Sequence, residues 1–365
     1  MEYKGKIAIV SGFWGQNIGN AFFNIGGKWI VEQMFPEYRV EFIQDQPGYR
    51  TFHNQSKGNP KNDVGLLKYL DCDYIVLQGP MLTVNFRALW EETFSELTKK
   101  GTKIILLGAA LFKHTEEEIK ANRKFLKEYP PVILSTRDHY TYEAFKDVCD
   151  YVYNGIDSAF FVPKVYQPFN LHMEKPYITI NFDRWPEPTI YINEDNQFNN
   201  NIDKCFKFFD RYWGLKSPKL QTKFSNMGKW QAYIGAALDF RRLPNEILGF
   251  KIIRPEHRFN PHITWKIYKQ QNAIASDEPF TYFTIYSQTN LTLSDRVHAC
   301  VITLAYGKPA MLFTPSPRAR LFERFECLSD IKNKPVFLPK EVLEKEVNNQ
   351  LKFLKMAAKD LDTVR

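Results

Sequence analysis

The chain has 365 residues, 44% of them hydrophobic and 25% charged, which is too long for one ordinary compact core and argues against a disordered chain. Lysine and arginine outnumber the acids 49 to 41, a mild bias toward anionic partners; the charges are dispersed without a basic block, and no nucleic-acid partner is expected. Five cysteines (Cys72, Cys149, Cys205, Cys300 and Cys327), odd in number and without a C-x-x-C pair, argue against a disulfide framework and a zinc site and fit a reducing, cytoplasmic compartment.

The first strand is read at Ile7-Ala8-Ile9-Val10. It is too short for a signal-peptide core, and no later run reaches the roughly 18 apolar residues of a spanning helix. A cytoplasmic location is expected, with peripheral association at the inner face of the membrane compatible with the basic charge. Further strands are read at Tyr74-Ile75-Val76-Leu77, at 103–107 and at Val132-Ile133-Leu134, with amphipathic stretches between them. The helix over 86–100 stops at Gly101, and Thr115 with Glu118 forms a capping box for the next one.

A proline-bearing linker containing Pro163 and Pro168 precedes a new strand at Tyr177-Ile178-Thr179-Ile180. Residues 187–249 read as an Asn-rich loop followed by aromatic helical segments. Strands return at Ile252-Ile253, Leu291-Thr292-Leu293 and 310–313, with a helix over 296–306 closed by Gly307. Alternating strands and helices predict an α/β fold with two parallel-sheet domains, at 1–170 and 171–335, and a C-terminal helix in 336–365.

Ser294-Asp295-Arg296-Val297-His298-Ala299 passes from strand to helix over a few polar residues. Ligands of open α/β sheets bind at that edge, where the helix N-terminus favours an anion. Arg296 offers a two-pronged contact to a carboxylate or phosphate, and His298 an imidazole that titrates near neutrality. Arg137 follows the 132–134 strand and should stand at the same kind of edge.

The 294–299 segment with Leu304-Ala305-Tyr306-Gly307-Lys308-Pro309 resembles the SDRLHA…A-x-G-x-P signature of the polysaccharide pyruvyl transferases. The segment 135–143, Ser-Thr-Arg-Asp-His-Tyr-Thr-Tyr-Glu, is similar to that family's S-x-R-D-x-x-S-x-E, and Asp157-Ser158-Ala159-Phe160 to its D-P-A-F. Asn17-Ile18-Gly19-Asn20 is similar to its N-x-G-D, with asparagine where aspartate is usual. Gln78-Gly79-Pro80 stands where the family has a glycine-rich turn.

The resemblance implies two Rossmann-like domains in a glycosyltransferase-B-like arrangement, with an acceptor side on the first and a donor side on the second. It further implies transfer of pyruvate from phosphoenolpyruvate to a sugar or polyprenyl-linked glycan as a ketal, with phosphoenolpyruvate as substrate and no cofactor. On this reading His298, Asp295 and Asp157 are the catalytic candidates. Arg137, Arg296, Lys308, Ser294, Asn17, Gly19, Asn20, Gln78 and Gly79 are the substrate-binding candidates. The alternatives are a nucleotide-sugar-dependent glycosyltransferase and a non-catalytic glycan- or anion-binding protein of the same fold.

Other features carry less. The 11–29 region matches neither the dinucleotide fingerprint nor the P-loop. Asp71-Cys72-Asp73 has the form of a D-x-D metal motif but precedes its strand, so no metal is expected there. His257 and His262 are read as exposed loop histidines.

Overall fold

Alternation of apolar side chains builds the first sheet. The computed structural model describes residues 2–12, 14–44, 65–183, 185–199, 201–218, 241–258 and 270–363. Strands β1 (Gly5–Val10), β2 (Tyr38–Ile43), β3 (Tyr74–Gln78), β4 (Lys103–Ala109), β5 (Ile133–Thr136) and β6 (Val152–Asn154) pair in parallel in the order β2-β1-β3-β4-β5-β6. Because successive side chains point to opposite faces, Ile7, Ile9, Val76, Ile105 and Leu107 join one core, and Val10, Ile75, Leu77, Ile104 and Leu106 the other. Both faces are therefore buried, as a parallel sheet requires.

Helix α1 (Gly19–Met34) covers the first face, and α2 (Phe86–Lys99) with α3 (Glu116–Glu128) covers the second through Trp90, Phe94 and Phe125. The capping box on α3 forms only in part. Thr115 Oγ1 accepts from Glu118 N, but the Glu118 carboxylate turns to the N–H groups of Lys113 and His114 instead of Thr115. Helix α4 (His139–Phe145) is capped by Asp138, whose carboxylate accepts from Thr141 N at 2.8 Å.

After the short α5 (Val162–Val165) the chain enters a second sheet. It contains β7 (Tyr177–Asn181), β11 (Glu246–Ile247), β12 (Phe250–Pro255), β14 (Thr292–Ser294) and β15 (Ala310–Leu312) in the order β11-β12-β7-β14-β15, with β13 (Ala273–Ile274) beside β12. All its pairings are parallel except β11 with β12.

Between β7 and β12, where the sequence reads as loop and helix, the chain forms a three-stranded antiparallel sheet. Its strands are β8 (Thr189–Asn193), β9 (Lys204–Phe208) and β10 (Arg211–Lys216). Phe206, Trp213 and Leu215 on one face pack against Ile178, Ile180, Leu293 and Met311, so this sheet takes the place of a covering helix layer. The alternation was present in the sequence but hidden by aromatic density and by asparagines in the turn. The aromatic segments expected at 219–240 lie outside the described residues.

Helices α6 (Phe280–Gln288) and α7 (Val297–Ala305) cover the other face of the second sheet and meet α1. The Phe22 ring stands 5.1 Å from Phe283 and 5.3 Å from His257, so an apolar contact joins the two units beside the cleft. After α8 (Leu328–Asn333), α9 (Lys340–Thr363) returns to the first unit. There Gln350 Oε1 accepts from Ile156 N at 2.7 Å, and Tyr153 stacks on Phe353 at 4.8 Å.

Candidate functional site

The C-terminal edges of the two sheets face one cleft, lined by Asn17, Gly19 and Asn20 at the start of α1, by Arg137 after β5, and by Asp295, Arg296 and His298 around the start of α7. Arg137 and Arg296 thus line a shared space from opposite sheets.

On the first unit, Arg137 and Asp157 form a buried ion pair, Nη1 to Oδ2 at 2.6 Å, with both side chains at most 2% exposed. The other carboxylate oxygen accepts from Ala159 N at 2.9 Å. Burial alone would raise the Asp157 carboxyl, but His298, Arg137 and the backbone N–H outweigh it and hold the group ionised far below the usual carboxylate range. His298 Nε2 lies 3.4 Å from the same Asp157 oxygen. Burial pushes the imidazole down, and Arg137 and Arg296 add to this against the pull of Asp157, so the ring is neutral near pH 7. Phe23 packs 5.2 Å from the ring, and a Cβ on Gly19 would stand 3.2 Å from Nδ1, so the start of α1 fixes the imidazole plane.

Arg296 has different company. Its Nη2 donates to Asn17 Oδ1 across the cleft at 2.9 Å, and Asn17 Nδ2 donates to Asn20 Oδ1 at 3.0 Å. Its Nε stands 3.5 Å from Asp183. Asn20 therefore belongs to an amide relay that ends on a guanidinium. Ser294 orders this turn without reaching the cleft: its Oγ accepts from Arg296 N and donates to Asn181 Oδ1. Asp295 does not cap α7; its carboxylate accepts from Trp185 N at 2.9 Å.

Other expectations are corrected. Gln78 is buried beneath α1, where its Oε1 would lie 1.8 Å from a Cβ on Gly27, and Pro80 lines the cleft in its place. Gly79, at φ +87°, packs on the Phe23 ring and turns the chain toward Pro80. Lys308 precedes β15 and so stands at the opposite, N-terminal edge of the second sheet, away from the cleft. His257 is not exposed: it is 2% accessible, its Nε2 meets Tyr286 Oη at 2.7 Å, and burial first, then Arg296, drives its pKa well below the imidazole range. His262 lies outside the described residues. Asp71 and Asp73 sit at the edge away from the cleft beside Lys6, and no group of three or more acids, histidines or cysteines among the described residues is arranged to hold a metal.

Sequence reasoning missed Asp183, Glu256 and Arg318 and misread His257. Asp183, Glu256 and His257 stand just past β7 and β12, so the strand-end rule applied to every strand, and not only to the motif-bearing one, would have found them; Arg318 lies farther on, in the helical turn Pro317–Phe325. Glu256 is 2% exposed and neither carboxyl oxygen has a hydrogen-bond partner among the described residues; burial, then the charges of Asp183 and Asp295, keep it protonated well above the usual range. Arg318 lines the cleft with Thr314 and Ser316.

Among the described residues no helix is long and apolar enough to cross a membrane. Solved structures place the fold in the glycosyltransferase-B-like group. The S. aureus MnaA–UDP co-structure has a TM-score of 0.53 at 13% identity, covering 97% of this chain and 90% of that one. A Listeria monocytogenes protein provisionally named a UDP-N-acetylglucosamine 2-epimerase has a TM-score of 0.50 at 11% identity, covering 96% and 90%. No curated protein matches the chain. The family model for polysaccharide pyruvyl transferase matches residues 17–317, a span that holds both arginines, the Asp157–His298 contact and the Asn17 relay. The chain belongs to the polysaccharide pyruvyl transferase family, a family of transferases.

Proposed function

We infer that the protein transfers pyruvate from phosphoenolpyruvate to two hydroxyls of a sugar in a glycan or lipid-linked glycan precursor, forming a ketal. The observation that carries this reading is the placement of Arg296, Arg318 and the Asp157–His298 pair around one cleft. Phosphoenolpyruvate carries a carboxylate and a phosphate, and two guanidinium groups match that charge.

In the proposed reaction the enol C3 of the donor takes a proton and C2 becomes oxocarbenium-like. One sugar hydroxyl adds to C2 and loses its proton, phosphate leaves with the C2–O electrons, and a second hydroxyl closes the ketal. The two hydroxyl protons balance the one gained at C3 and the one carried off by phosphate. His298 is the group placed to exchange these protons, because Asp157 holds its Nε2 side and its lowered pKa keeps a lone pair available near neutrality. Asp157 acts through His298; an ionised carboxylate paired with Arg137 is too weak a base to act alone.

Incubation with phosphoenolpyruvate and a panel of hexoses and polyprenyl-linked sugars, read by phosphate release and by the mass of the sugar product, tests the reading. Sugar-dependent phosphate release with a ketal product is expected. Thermal stabilisation by UDP but not by phosphoenolpyruvate, with no ketal formed, would replace it with the nucleotide-sugar glycosyltransferase.

A further inference from the structure

The loop after β4 is held from several sides yet presents an apolar ring to water. Leu111 N donates to Thr141 Oγ1, Leu82 N donates to Ala110 O, and the N–H groups of Lys113 and His114 are taken by Glu118. His114 sits at φ +59°, a left-handed conformation uncommon in non-glycine residues. Between these anchors Phe112 remains 39% exposed. The loop leaves the same strand edge that faces the cleft, and the guanidinium of the cleft-lining Arg318, from the opposite unit, lies 4.9 Å from the ring centroid.

The geometry points to Phe112 as a stacking platform for a hexopyranose ring of the acceptor at the rim of the cleft. A pyranose has an apolar C–H face that packs on an aromatic ring, while its hydroxyls need donors and acceptors at the side. The Arg318 cation polarises the ring from one face, and Thr314 and Ser316, which line the cleft with Arg318, offer hydroxyls on the cleft side. The rigidity of the loop matters, since an aromatic already fixed in place loses little freedom when a sugar binds. This inference rests on the sugar-acceptor reading above and names the residue that would contact the acceptor.

The test uses the full chain with methyl galactoside, methyl glucoside and methyl mannoside as probes, observed by saturation-transfer NMR in the presence of phosphoenolpyruvate, beside calorimetry of phosphoenolpyruvate itself. At least one glycoside should show ring-proton transfer in the wild type. Phe112→Ala should weaken that glycoside about ten-fold, Phe112→Tyr should retain it, and donor affinity should stay unchanged in both. Absence of transfer to all three glycosides in the wild type, or equal transfer in wild type and Phe112→Ala, overturns the platform. So does a Phe112→Ala variant whose donor affinity falls as much as its sugar binding, because the ring would then act only through Arg318. If the glycosides bind through Phe112 while phosphoenolpyruvate does not bind at all, the platform stands and the pyruvyl-transfer reading fails.

Discussion

Arg137 and Arg296 reach one cleft from opposite sheets, yet the first is locked to a buried carboxylate at 2.6 Å while the second is held by a neutral amide and a longer contact to Asp183. Their neighbours, and not their residue type, decide which can turn to a ligand. Arg137 cannot leave Asp157 without stranding a buried charge that is costly to leave unpaired, whereas on the proposed reading Arg296 would exchange only a neutral amide contact for a donor anion. On the proposed reading the first arginine organises the Asp157–His298 pair, and the second, with Arg318, faces the donor anion.

The largest effect is expected where this organisation meets the chemistry. His298→Gln should lower turnover by about 10²–10⁴, the range for a lost proton-transfer group, with donor affinity nearly unchanged; single-turnover ketal formation beside calorimetry would read it. Because the imidazole is pushed down, the wild-type rate should fall on the acid side only below the ordinary histidine value of about 6.5.

Arg137→Met probes the locked side and should destabilise the fold by about 3–5 kcal/mol, measured by urea unfolding, since it leaves Asp157 buried and unpaired. The Asp157 carboxyl is depressed in the folded state, so its contribution is complete above the ordinary carboxylate value of about 3.9 and is lost as pH falls through the folded value. The wild type should thus show an acid-limb loss of stability that Arg137→Met lacks in part. A variant as stable as the wild type would undo the contrast between the two arginines.

Glu256 sharpens the comparison from the other unit. Its folded pKa is raised, so its contribution is complete below about 4.3 and is lost as pH climbs toward the folded value. Glu256→Gln should flatten the decline of stability with rising pH by up to about 1.4 kcal/mol per pH unit, one proton's worth. Denaturation midpoints across that window would show it. The smallest effect belongs to Lys308→Ala, which should change stability by less than about 0.5 kcal/mol and leave donor affinity alone, because the residue stands at the far edge of its sheet.

Much of this was legible in the sequence. Strands such as Tyr74–Gln78 and Lys103–Ala109 announce themselves as unbroken apolar runs because both faces are buried. Arg137, Arg296 and His298 were legible as polar residues just past strands or at the helix start that follows, while Asp157 came only from the resemblance of Asp157-Ser158-Ala159-Phe160 to the family's segment. What stayed hidden depends on distance in space. Asp138, adjacent to Arg137, caps α4, and the partner of Arg137 is Asp157, 20 positions on. Gln78 sits at a strand end like Arg137, yet α1 carries Gly27 over it and closes it from the cleft. The β8–β10 layer was lost because its turn is rich in asparagine and its inward Phe206 and Trp213 read equally well at helical spacing.

Calorimetric titration of phosphoenolpyruvate into the wild type and into Arg296→Ala tests the central claim most directly. The account predicts saturable binding in the wild type, weakened by about 1.5–3 kcal/mol in the variant, the range for a hydrogen bond to a charged group. Equal affinity in the two proteins, or no binding in the wild type, would contradict it.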